Sequence, residues 1–348
     1  MIPAIQQNDD MHDSPQDMPP GQPVRDALAF CRDTVEADYR QADALALRHQ
    51  RYHRLLTITA AVFGTTAVLL AIVQLSGLFR GMWPVQLSGI AVAFALIAVI
   101  TGLVSSQRLN WLLERHRAER YRLLKFRFLI DPVLWSGGKE EAKAWMNRFT
   151  SEVDNIRALN RKALRWWIDE DEVPEAPTPL PHGKTDENTI RGLIEYYQKK
   201  RLGVQMDYFA GRALRNVRMH RYTWFLPPLF FFSSVLAVSG HFIYDIVASA
   251  NGSQAEVTTA NLFVLFVVLA AAFPVIGAGV RSLRTAYEFA RNNSRFRAKL
   301  VALRRLAERL RQEKDPEAIF SDLWSCEQIL ESEHREWLRL MIEGEWFG

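Results

Sequence analysis

The chain has 348 residues, with 43 Lys and Arg against 39 Asp and Glu, a net charge of +4 and 49% hydrophobic residues. A mean hydropathy of −0.10 excludes a chain that is apolar throughout. Its two cysteines, Cys31 and Cys326, exclude a disulfide framework or a thiolate metal cage, and two ordinary buried thiols account for them better than a redox role.

Residues 1–24 hold Pro15, Pro19, Pro20 and Pro23 among acidic and amide residues, without the basic start and apolar core of a signal peptide. The composition predicts a disordered tail. From Val24 to Phe63 there is neither Gly nor Pro, so one helix is expected to run through this segment into the first apolar run, 55–79. A bilayer core of about 30 Å needs ~20 apolar residues of helix, so this run is long enough to cross it. A second run, 83–105, follows at once, with Arg80 as the only charge between the two. The pair reads as a helical hairpin. Beyond it come Arg108, Arg115, Arg117, Arg120, Arg122, Lys125 and Arg127, interleaved with leucines, which predicts that the second helix continues into water as an amphipathic rod until Asp131 and Pro132. A further helical pattern covers 140–168.

Pro174, Pro177, Pro179 and Pro181 mark an extended linker, 173–188. Helical character resumes near Thr189 and passes Arg212, Arg215, Arg218 and Arg221 into a third run, 222–244, whose start carries Pro227 and Pro228. A fourth run, 260–280, carries Pro274 with Gly277 and Gly279, small residues at which a kink or a close helix contact is expected. A long helix should emerge from it, with Phe296, Leu300, Leu303, Ala307 and Leu310 on one coiled-coil-like stripe. Basic residues flank both hairpins and avoid their tips, which predicts that both termini and the central linker face the cytosol. The fold class expected is an all-α integral membrane protein, four transmembrane helices in two hairpins with long amphipathic cytosolic helices.

The two halves match. Asp38-Tyr39 and Ala44-Leu45 reappear as Asp207-Tyr208 and Ala213-Leu214, and Arg51-Tyr52 reappears as Arg221-Tyr222. Glu114 and Arg117 correspond to Glu288 and Arg291, and Arg120-Tyr121 to Arg295-Phe296. One order and a narrow offset point to a duplication, and an even number of spans per copy makes it a parallel repeat. Each half, about residues 25–172 and 189–348, resembles the SLATT domain, a two-span hairpin flanked by cytosolic helices. The resemblance rests on the Arg- and aromatic-rich helix before the hairpin (Arg201 to Tyr222), the basic helix after it, and the closing helix with Glu327, Glu333, His334 and Trp337. It implies a membrane effector of a bacterial conflict system in the inner membrane, pore-forming or membrane-perturbing, homo-oligomeric and linked to a cytosolic or nucleotide-signalling partner.

No phosphate-binding glycine loop, nucleophile elbow or zinc-protease helix is present, so no catalytic residue, cofactor or metal is expected. His49 and His53 share a helical face but lack a third ligand. His241 near the outer end of the third run is a candidate intramembrane polar site, weighed against an interfacial histidine. The pairs Glu114 with Arg117 and Glu288 with Arg291 either support a solvated helix or bridge helices or subunits. Basic residues beside the spans are explained by orientation and by anionic lipid headgroups, without nucleic acid. The few polar residues within the runs suit helix contacts, so conduction would need several subunits around one axis, with the basic helices as an anion-favouring vestibule. A non-conducting scaffold or sensor that docks a cytosolic partner through the 296–310 stripe is the alternative. A transporter comes third, since no broken helix marks a midplane site.

Overall fold

The computed structural model describes residues 10–13, 17–19, 21–77, 82–136, 138–169, 186–250, 257–287 and 289–343, and among them it is helical without a strand. The helices are α1 (Gln22–Leu75), α2 (Trp83–Val104), α3 (Gln107–Leu129), α4 (Pro132–Ser136), α5 (Lys139–Arg157), α6 (Arg161–Asp169), α7 (Glu187–Tyr197), α8 (Val204–Ala250), α9 (Val257–Tyr287), α10 (Phe289–Gln312) and α11 (Pro316–Glu343). A π-helical turn, Gln198–Gly203, joins α7 to α8. Among the described residues four helical stretches are long and apolar enough to cross a membrane: within α1, α2 itself, within 187–247 and within α9.

The chain forms two compact units. The polar unit takes Met1–Gln50, Arg108–Leu214 and Asn292–Glu345, and the apolar unit takes Arg51–Gln107 and Arg215–Arg291. Each draws on both halves of the sequence.

Local chemistry sets the helix ends. Gly77, at φ +69°, closes α1 in the left-handed conformation that glycine adopts without steric cost, and its N–H reaches the Gln74 carbonyl at 3.2 Å. Asp131 Oδ1 accepts from the Val133 N–H at the start of α4, and Asp186 Oδ2 from the Thr189 N–H at the start of α7. The expected rod from 83 to 129 is interrupted at Ser105 and Ser106. Ser106 stands at φ +50°, where a Cβ meets the backbone. Replacing it by glycine (Ser106→Gly) should raise stability by about 1 kcal/mol, read as a higher thermal midpoint; a lowered midpoint would show that the serine hydroxyl is needed at the break. The pattern over 140–168 is likewise two helices, because Asn160 Oδ1 accepts from the N–H groups of Lys162 and Ala163 and starts α6 anew. Pro227 and Pro228 do not open a helix. They lie inside the 47-residue α8, which already runs from Val204.

The polar unit is closed around Val24, Leu28 and Val35 of α1, Phe126 and Leu129 of α3, Trp145 and Phe149 of α5, and Leu303 and Leu323 of α10 and α11, all at most 1% exposed. Phe30, Phe128, Trp145 and Phe149 form an aromatic group of edge-to-face contacts with Trp145 stacked on Phe149, and the Trp145 indole donates to the Phe128 carbonyl at 3.1 Å. A smaller cluster joins Ala46, Trp111, Leu112, Leu113, Leu164 and Leu338. The stripe of α10 is part of this interior: Leu300, Leu303, Ala307 and Leu310 are buried and Phe296 packs against them. It offers no free face for a partner.

The apolar unit is held by ring stacking and close backbone approach. Phe63 of α1 stacks on Phe94 of α2 at 5.1 Å, and Phe230 of α8 on Phe273 of α9 at 6.0 Å. Ser234 Oγ donates to the Ala270 carbonyl at 2.7 Å across α8 and α9. Its large side chains otherwise point outward, with Leu75 at 88%, Leu236 at 72% and Leu103 at 66% exposure. So continuous an apolar surface is of the kind that marks a membrane or protein contact.

Candidate functional site

The segment expected as a disordered tail is, where described, part of the polar core. Asp10 is fully buried, and the reason is electrostatic: it neutralises two arginines that the core also buries. The Arg122 Nε lies 3.0 Å from Asp10 Oδ1, an ion-pair contact too bent for a hydrogen bond, while its Nη1 donates to Glu119 at 2.7 Å and its Nη2 to the Tyr39 hydroxyl at 2.7 Å. The Arg201 Nη1 donates to Asp10 Oδ2 at 3.1 Å, and its Nε and Nη2 grip both oxygens of Glu327 at 2.9 and 2.7 Å. The Tyr197 hydroxyl also donates to Glu327. A planar guanidinium fork on a carboxylate is the geometry in which a buried ion pair is best satisfied.

The same N-terminal segment serves two lysines. Lys125 reaches Asp13 at 2.9 Å and the Asp10 carbonyl at 3.1 Å, and Lys200 reaches the His12 carbonyl at 2.7 Å and Asp17 at 2.8 Å. Lys200 and Arg201 both sit in the π-helical turn, where the wider helix brings consecutive basic residues inward. Gly203 closes that turn; a Cβ there would stand 3.2 Å from the Gln198 carbonyl. Burial pulls the Arg201 guanidinium down, but Glu327 and Asp10 outweigh it and hold its pKa above the usual range; Asp10 and Glu119 do the same for Arg122.

Beside this network His116 of α3 and His334 of α11 stack with planes 8° apart, and His116 Nδ1 lies 3.0 Å from His334 Nε2. One ring donates and the other accepts, so at least the accepting ring is neutral. Trp167 and Trp337 flank them. Burial pushes His334 down to about 3, and Arg115, Arg122 and Arg120 act in the same direction against Glu119. Burial, the neighbouring imidazole and Arg120, Arg335 and Arg117 hold His116 well below its ordinary value. On α11 the next carboxyl, Glu333, is pushed up to about 7 by burial and by Glu119.

Both cysteine thiols are buried, and burial raises each to about 12, so neither is a thiolate at neutral pH. Among the described residues no group of three His, Cys, Asp or Glu is placed to hold a metal ion, the neighbourhood of His49 and His53 included.

Of the residues singled out from the sequence, Glu114 and Arg117 pair at 2.8 Å, and Arg117 also donates to the Leu159 carbonyl, tying α3 to the turn between α5 and α6. Glu288 lies outside the described residues, and Arg291 falls in α10. His241 stands on α8 one turn before Asp245, at 3.9 Å from its carboxylate. Gly277 faces Pro227 and Phe230 of α8, where a Cβ would meet atoms at 3.5 to 3.7 Å. Gly279 faces Thr65 of α1 at 3.8 Å, and Pro274 lies inside α9. Asp10 and the histidine pair escaped the sequence reading. The one signal for Asp10 was the need of four core-facing cations for counter-charges.

Compared with protein-family models, curated proteins and solved structures, the chain matches none.

Proposed function

We propose that this is a bacterial inner-membrane protein with both termini in the cytosol, its four apolar helices inserted as two hairpins, and that it acts as an oligomeric pore-forming or membrane-perturbing effector. The observation that carries the reading is the make-up of the apolar unit. Its surface is apolar, while Ser234 turns inward to a backbone carbonyl of the neighbouring helix. A single copy therefore offers no polar path, and conduction requires several copies about a common axis. The arginines before and after the apolar runs favour the cytosolic side and anionic headgroups there. The resemblance of each half to SLATT proteins supports the effector role and a nucleotide-signalling or other cytosolic partner as the trigger.

The scaffold reading is weaker than the sequence alone made it, because the α10 stripe is covered by the chain's own core. The test is to purify the full-length protein in detergent, measure the mass of the complex, and record currents in planar bilayers. A defined oligomer with discrete conductance steps is expected. A monomer that passes no current and leaves dye-loaded vesicles intact would sink the effector reading.

A further inference from the structure

A cleft of about 510 Å³ opens in the polar unit between α3, α4, α5 and α11. That volume is within the range that holds a small organic ligand. Its lining has two characters. Leu123, Leu124, Phe128, Val133 and Ile156 give an apolar floor, and three guanidinium groups, Arg120, Arg127 and Arg148, stand over it with the indole of Trp324.

The lining sets three guanidinium groups against two carboxylates, Asp131 and Glu152. Arg148 pairs with Asp131 at 3.3 Å, and Arg127 binds Glu331 while its guanidinium lies 5.2 Å over the Trp324 ring. Glu152 also lines the cleft but stays beyond ion-pair distance of Arg120. Among the described residues Arg120 makes no ion pair; its guanidinium lies over the Trp167 ring at 6.0 Å from the ring centre, and Glu331 and Glu152 act on it from beyond contact distance. Two further donors are buried without a hydrogen-bond acceptor among the described residues: the Arg127 Nε and the Trp324 Nε1. Unsatisfied buried donors are costly, and a partly buried cation without a counter-ion more so. Burial lowers the Arg120 pKa, with Arg127 and Arg335 acting in the same direction and Glu331 and Glu152 against it. Two buried donors without acceptors, and a guanidinium outside any ion pair, around one apolar-floored cleft describe the complement of an acceptor-rich anion on a hydrophobic body.

We propose that this cleft binds a small organic oxyanion, a phosphate, sulfate or carboxylate group carried on a flat apolar ring, with Arg120 as its principal anchor, Arg127 and Arg148 as flanking donors, and Trp324 and Phe128 against the ring. The site lies wholly within the polar unit and does not depend on the membrane reading.

The test uses full-length protein in detergent and phenyl phosphate as the probe, titrated calorimetrically beside inorganic phosphate, phenol and glycerol phosphate. Phenyl phosphate should bind at least tenfold more tightly than either inorganic phosphate or phenol. Arg120→Gln, which breaks no ion pair, should weaken it by about 10- to 100-fold with an unchanged thermal midpoint, as the loss of a charge-assisted contact implies. Arg148→Gln at the more exposed edge should weaken it less, and Trp324→Leu should bring phenyl phosphate down to the affinity of inorganic phosphate. Absence of phenyl phosphate binding, or equal binding by wild type and the folded Arg120→Gln variant, overturns the proposal. Glycerol phosphate binding as well as phenyl phosphate overturns the ring component and points to a lipid-headgroup site instead.

Discussion

Removing the carboxylate of Glu327 (Glu327→Ala) is expected to destabilise the polar unit by about 3–5 kcal/mol, the cost of leaving one member of a buried ion pair without its partner. Arg201 is 1% exposed and takes three charge-assisted contacts, two of them from Glu327. Without Glu327 it retains Asp10 alone, which it shares with Arg122. The measurement is thermal or urea unfolding followed by tryptophan fluorescence in a fixed detergent. A double variant, Arg201→Met with Glu327→Leu, discriminates between a charge effect and a packing effect. Removal of both ends should recover most of the loss, because a filled apolar site has no uncompensated charge. If the double variant is as unstable as Glu327→Ala, the charge is not what matters.

Acid should destabilise the polar unit in two stages. The paired His116 and His334 have pKa values below 6.5 in the fold, His334 at about 3, so below pH 6.5 the unfolded chain takes up two protons that the native pair does not. Stability therefore falls as pH falls. Glu333 opposes this between pH 7 and 4.5, since at about 7 its native carboxyl is protonated first. The net difference there is about one proton, or about 1.4 kcal/mol per pH unit. Below pH 4.5 Glu333 is protonated in both states and drops out. Glu119, whose carboxylate Arg115 and Arg122 hold well below the usual range against burial, then adds to the pair. Three protons give about 4 kcal/mol per pH unit, continuing toward pH 3. Urea unfolding at pH 7, 5.5, 4.5 and 3.5 reads both slopes. A His334→Gln variant should flatten the upper stage, and a wild-type curve that is level from pH 7 to 4.5 would contradict the stacked neutral pair.

The sequence made the long α1, the four apolar stretches and the start and stop residues around Asp131 and Pro132 legible, because length, hydropathy and capping are local properties. What it hid was set by tertiary contact. Nothing in the neighbourhood of Asp10 distinguishes it from a solvated acid; only Arg122 and Arg201, far along the chain, make it a core residue. The stripe on α10 was readable as a stripe, but whether its own chain or another molecule covers it depends on Leu323 and Cys326 arriving from α11. Ser105 and Ser106 carry no breaker signature, so the left-handed residue between α2 and α3 could not be foreseen. The oxyanion cleft was invisible for a related reason: Arg120 and Arg127 look like two more membrane-flanking arginines until Trp324 is set beside them.

The ion pairs of Arg201 also impose an order on biosynthesis. They join Asp10, 191 residues away, to Glu327, 126 residues away on the other side. As the chain leaves the ribosome Asp10 emerges before all four apolar stretches, and the carboxylate that completes the pairing emerges after them. Arg201 must stay short of its Glu327 partner until then, so closure of this part of the polar core is a late, long-range step even though its helices form locally and fast. A nascent chain halted before Glu327 would already have delivered its apolar helices while the core that should accompany them was still open.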